Sequence, residues 1–141
     1  MRKIVLLSLL LTITAACGNK AKSIKYGEMS VSDLVASKGE PIKEEEIPRP
    51  DGKMYIYENN EKYQIENGVV VNSFKNPNKD EKMLLYWKHK YEDCHFTIKQ
   101  LDQKVLHLKP EEEYNCKAAG ITLIYDPNIE QVVRVVEYAA E

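Results

Sequence analysis

The sequence predicts an α+β fold: a short helix, with a second helical candidate further on, packed on an antiparallel β-meander. Three observations carry this. A helix with both ends signalled spans residues 30–39. An Asn-Gly pair sits between two alternating segments at 62–74. A second apolar hairpin with an Asp-Pro-Asn turn closes the chain at 120–138.

The helix comes first. In GEMSVSDLVASKGEP (27–41), Ser30 or Ser32 can cap it, and Asp33 lies near the positive end of its dipole. Val31, Leu34 and Val35 form a helical stripe. Gly39 suits a left-handed stop and Pro41 prevents continuation. KEEEIPRPDGK (43–53) reads as a charged loop with two prolines and an Asp-Gly turn.

Strands follow. MYIYE (54–58) sets Tyr55 and Tyr57 on one face, and Asn59-Asn60 makes a tight turn. Tyr63 and Ile65 then alternate with Lys62 and Gln64. Asn67-Gly68 is the strongest hairpin signal in the chain, and VVVNSF (69–74) completes a three-stranded meander over 54–74. Residues 80–93 fit two patterns. Met83, Leu84, Trp87 and Tyr91 make a helical face capped by Asp80, while Met83, Leu85, Trp87 and Tyr91 make a strand face. Length and the capping residue favour the helix. CHFTIKQL (94–101) alternates like a strand, with KVLHLK (104–109) as its partner. Val132, Val133, Val135 and Val136 place the last strand inside the sheet, covered on both faces. Strand, turn and valine-rich strand occur at 62–74 and again at 121–138, a likeness too loose to establish a duplication.

The N-terminus addresses compartment. Arg2 and Lys3 precede an apolar run from Ile4 to Ile13. That run is half of the roughly 20 residues needed to cross a bilayer, and small residues follow it, the pattern of an export signal. TAAC (14–17) resembles the lipobox of bacterial lipoproteins, in which the cysteine is diacylated and becomes the first mature residue; it departs from that pattern at Thr14, where Leu is usual. Two readings stand: lipidation at Cys17, favoured, or cleavage by ordinary signal peptidase. Residues 1–16 are then a signal peptide, 17–26 a lysine-rich tether and 27–141 one periplasmic α+β domain. By resemblance to Gram-negative lipoproteins, the absence of Asp after Cys17 points to the outer membrane.

Composition limits function. Removing 1–16 takes away two of the 20 basic residues and none of the 22 acidic ones, leaving a net acidic chain. No basic face is implied, so nucleic acid is not an expected partner. Two cysteines remain, Cys94 and Cys116, and an exported even pair reads as a disulfide. The alternative, a metal pair with His95, lacks a second ligand spacing.

GEMSVSDLVASKGEP, the aromatics of MYIYE and then YQIENGVVVNSF together resemble the small outer-membrane lipoproteins of the SmpA/OmlA (BamE) family. The matching positions are Gly27, Met29, Ser30, Leu34, Gly39, Pro41, Tyr55, Tyr57, Gly68 and Val69. The likeness covers 17–74; the acidic 43–53 segment departs from it and 75–141 has no counterpart. It implies a helix-plus-meander fold and suggests an accessory role in assembling outer-membrane β-barrels. A similar unit occurs in β-lactamase-inhibitor-like proteins.

No catalytic constellation is legible. His89 lies between Lys88 and Lys90, His95 beside Cys94, and His107 alternates with Leu106 and Leu108 so that it faces out from a strand. The glutamate runs 44–46 and 111–113 read as solvated loops rather than cation sites. Tyr55, Tyr57 and Tyr63 read as a sheet face packed on the helix, with an aromatic docking face as the alternative. Trp87 reads as core, or else as a partner anchor. No cofactor, metal or small-molecule substrate is implied. The expectation is a non-enzymatic binding module that meets an envelope protein through Pro48-Arg49-Pro50-Asp51-Gly52, with Arg49, Asp51 and Trp87 as candidate contacts. A module that blocks an enzyme cleft is the alternative.

Overall fold

A computed structural model describes residues 23–141. Residues 1–16, read above as a signal peptide, Cys17 and most of the segment read as a tether lie outside the described residues. Two helices, α1 (Val31–Lys38) and α2 (Leu84–Lys90), lie on one face of a single eight-stranded antiparallel sheet. The strands are β1 (Lys43–Glu46), β2 (Lys53–Ile56), β3 (Lys62–Glu66), β4 (Val69–Lys75), β5 (Thr97–Gln100), β6 (Glu112–Cys116), β7 (Ile121–Asp126) and β8 (Gln131–Tyr138). Their spatial order is β1-β2-β3-β4-β8-β7-β6-β5.

The order divides the chain into two like units. Each is a short helix followed by a four-stranded meander, and their last strands pair antiparallel. Local details repeat. β4 bulges at Val71, because Val70 faces Ile65 and Asn72 faces Gln64. β8 bulges at Val133, because Val132 faces Tyr125 and Arg134 faces Ile124. Val70 N–H donates to Met29 C=O at 2.9 Å just before α1, and Val132 N–H to Lys82 C=O at 2.8 Å just before α2. On this correspondence Phe74 matches Val136, and these two residues pair with each other. They mark a pseudo-twofold axis, which exchanges the flanking pairs Ser73–Glu137 and Lys75–Val135. The loose likeness between 62–74 and 121–138 is therefore a repeat of structure.

α1 forms as its sequence dictates. Ser30 Oγ accepts from Asp33 N–H at 3.2 Å, and Gly39 ends the helix at φ 83°. Leu34 is fully buried against Tyr55, Tyr63, Ile65 and Val70, so the tyrosine stripe is core. In the second unit Trp87 is fully buried against Tyr114, Ile121, Leu123, Val132 and Val135. Asn67 and Gly68 both take positive φ, as a tight hairpin with right-handed twist requires.

Several expectations are corrected. Lys43–Glu46 is a strand, not a loop: its side chains are all exposed and it forms one edge of the sheet. A charged edge strand resists pairing with other chains. The run 111–113 likewise leads into β6, and β5 pairs with β6 rather than with 104–109. Residues 104–109 form an exposed loop. α2 is a helix, but Met83 is its exposed N-cap residue, without a side-chain cap bond, and Asp80 does not cap it. Asn78 Oδ1 instead accepts from Asp80 and Glu81 N–H, both at 3.0 Å. β8 lies inside the sheet, but its four valines reflect the bulge at Val133 rather than cover on both faces, and Arg134 is exposed. Ile24 and Tyr26, at the end of the segment read as a tether, pack on the first core.

Candidate functional site

The turn between β1 and β2 projects the sequence-selected residues. Arg49 and Asp51 are exposed, and Asp51 takes φ 44°. Internal bonds fix the turn: Arg49 N–H donates to Ile47 C=O at 2.7 Å and Gly52 N–H to Arg49 C=O at 2.9 Å. Gly52 is buried, and a Cβ there would stand 2.8 Å from both Arg49 Cβ and Ile47 Cγ1. Only glycine fits beneath this turn. Asn67 N–H donates to Pro50 C=O at 3.2 Å, bracing the turn on the β3–β4 hairpin, and Arg49 Nε lies 3.8 Å from Glu66. The tip is thus preorganised, which lowers the entropic cost of binding through it.

Trp87 does not join that surface. It has no exposed area, and its indole N–H donates to Glu81 C=O at 2.6 Å. Tyr91 stacks parallel to it. It is a core residue, not an exposed anchor.

A polar seam separates the two cores along β4 and β8. Tyr26 OH bonds Ser73 Oγ at 2.6 Å and donates to Glu137 at 3.0 Å. Lys75 Nζ stands 2.8 Å from Glu81 Oε2 and over the Trp87 ring. Burial pushes the Tyr26 phenol well above its ordinary value, and the Glu137 carboxylate adds to this. Burial works against the charge on Lys75, but the facing Glu81 carboxylate outweighs it and raises the ammonium's pKa. Beside the seam, Lys38 and Tyr63 both donate to Glu61. Burial opposes the Glu61 charge, but these bonds hold the carboxyl below its usual value. The charges of the seam face opposite charges or hydroxyls, and the buried Glu81 Oε2 has the Lys75 ammonium as an ion-pair partner but no hydrogen bond.

The opposite face of the sheet carries no helix among the described residues. Met54, Ile56, Phe74, Val136 and Ile124 run across it, with Lys62 and Arg134 flanking Phe74 around a shallow hollow of about 280 Å³. Sequence reasoning missed this face, because the alternation of β2 and β4 was read only for its buried side.

Cys94 and Cys116 form a disulfide, with Cα atoms 6.2 Å apart. It ties the end of α2 to the helix-covered face of β6. His89, His95 and His107 are all exposed, and the structure does not bring them together. Among the described residues no group of three His, Cys, Asp or Glu side chains could hold a metal, and no helix is long and apolar enough to cross a membrane. No model of a known family, no curated protein and no solved structure matches this chain.

Proposed function

We propose that this chain is a non-enzymatic lipoprotein of the bacterial outer membrane. Cys17 carries the acyl chains, and the domain stands at the periplasmic face as an accessory or scaffolding module. It docks on an envelope protein complex and supports outer-membrane protein assembly. The observation that supports docking is the braced β1–β2 turn, which presents Arg49 and Asp51 on a rigid, exposed tip. Binding through such a tip orders little backbone, which lowers the entropic cost of association. The lipobox-like TAAC at 14–17 supports the location, because a diacylated Cys17 meets the need for more than one chain in stable anchoring.

The test is affinity purification of the tagged full-length protein from its own envelope in mild detergent, with partners identified by mass spectrometry. Subunits of the β-barrel assembly machinery in fixed ratio, lost with Arg49→Ala and Asp51→Ala, are the expected result. Recovery of the protein alone, or no effect of either substitution, overturns the reading. The same projecting turn favours a second reading, a module that plugs an enzyme cleft. Tight one-to-one association with a soluble hydrolase would select it.

A further inference from the structure

The loop between β5 and β6 is apolar where loops are ordinarily polar. Leu106 is 87% exposed, Val105 52% and Leu108 49%, and Ile129, on the adjoining β7–β8 turn, 54%. Val105 and Leu108 line one hollow with Asn128, so four aliphatic side chains, each about half exposed or more, lie at the same end of the sheet, and such a patch marks an interaction site.

The loop's backbone is held from within. Gln103 Nε2 lies 3.1 Å from the carbonyl oxygens of Val105 and Leu106 and 2.9 Å from that of Leu108, and its two N–H groups are shared among the three. Asn128 clamps the far side, accepting from Lys109 N–H and donating to Lys109 C=O, both at 2.9 Å. Backbone carbonyls bonded internally lose little when water leaves, which is what entry into a hydrocarbon boundary demands. Lys104 and Lys109 bracket the tip and both are exposed, with Lys104 Nζ 3.9 Å from Glu111, so their ammonium groups stay in water. The apolar residues are Val, Leu, Leu and Ile. Protein hot spots are enriched instead in Trp, Tyr and Arg and poor in Leu and Val.

We infer that the Val105–Leu108 loop, with Ile129, is a lipid-contacting tip that inserts into the interfacial region of a bilayer. Residues 101–111 hold two lysines and two acids, so insertion is driven by apolar burial and does not require anionic headgroups. The chain reaches the domain at Ile24–Tyr26, beside Ala139 and Ala140, at the end of β8 opposite the 127–130 turn. An anchor at Cys17 and this tip on the same bilayer would lay the sheet along the membrane.

The test uses the chain from residue 17 onward with Cys17→Ser, so that neither the apolar 4–13 run nor an acyl chain contributes and failure of the anchor reading is scored separately. An environment-sensitive fluorophore is placed on His107→Cys, and on Ala36→Cys of exposed α1 as the control. Vesicles of phosphatidylcholine, alone or with phosphatidylglycerol, should shift the loop dye to the blue and brighten it several-fold in both, and leave the α1 dye unchanged. Leu106→Ser with Leu108→Ser should weaken vesicle binding about tenfold or more. The proposal is overturned by a silent loop dye, by equal responses at both positions, or by a response confined to anionic vesicles. A response confined to envelope protein extracts overturns it equally and makes the loop a protein-docking site.

Discussion

Replacing Trp87 with alanine should remove most of the domain's stability. The indole is fully buried, fills the second core beneath α2, and its N–H satisfies Glu81 C=O at 2.6 Å. Lys75 and Lys90 also place their ammonium groups 5.9 and 5.2 Å from its ring centroid. Truncating a buried Trp costs about 3–5 kcal/mol through lost transfer energy and the cavity left behind. Leaving the Glu81 carbonyl unpaired adds about 1–3 kcal/mol if water does not reach it. A domain of this size is stable by roughly 5–15 kcal/mol, so Trp87→Ala sits near the edge of folding. Trp87→Phe keeps a ring and loses the donor, and should cost about 1–3 kcal/mol. Urea titration followed by far-ultraviolet circular dichroism measures both variants without relying on the single Trp as reporter. A Trp87→Ala domain that unfolds within about 1 kcal/mol of the parent refutes the reasoning. It would mean that α2 swings away from the sheet and that the ring is free for a partner after all.

Two further predictions follow from the same packing. Cys94→Ala with Cys116→Ala should destabilise by about 3 kcal/mol, since the bridge closes a loop with a sequence separation of 22. A urea midpoint indifferent to both the substitutions and a reductant would refute that. Stability should also fall in alkali. Burial, the Glu112 hydrogen bond and its charge push the Tyr114 phenol up to about 12 from 10.0, and Tyr26 and Tyr63 are pushed further. A folded pKa above the unfolded one gives stability that is whole below the unfolded value and is lost as pH rises past it. The melting temperature should therefore drop from about pH 10 upward, less steeply in Tyr26→Phe and Tyr63→Phe, and a flat profile would contradict the burial of these phenols.

Sequence made α1 legible because cap, stripe and stop are all local, and each acts within a turn of itself. The Asn67-Gly68 hairpin was legible for the same reason. β1 was not. Its Lys43-Glu44-Glu45-Glu46 run has both faces exposed, so it carries no burial pattern, and only pairing with β2 makes it a strand. Glu112 and Glu113 hid the start of β6 in the same way. The opposite error fell on 104–109. Alternating leucines read as a strand because alternation records two faces without saying that either is buried. Trp87 fitted helix and strand templates alike, and its burial settles the choice between core and anchor. Of the docking candidates, Arg49 and Asp51 were readable from Pro, Asp and Gly chemistry, and the exposed loop tip was not.

The pseudo-twofold axis gives a reason for the polar seam. A helix of seven or eight residues on four strands buries few side chains, too few for a stable fold at that size. The two units therefore join through β4 and β8, and the joint must be specified: a slip of one residue turns the inner side chains outward, and a slip of two keeps their faces but changes their partners. Apolar residues on both sides of the axis would pack almost as well after a slip of two. Ser73, Lys75 and Glu137 would not. The segment before α1 reaches across the axis, so that Tyr26 bonds Glu137 of the second unit; the segment before α2 reaches back, so that Glu81 meets Lys75 of the first. Any other register strands a buried charge, a loss of several kcal/mol against the small net worth of the pair itself. The seam adds little to stability, and its contribution is to make one alignment of the two halves far better than the next.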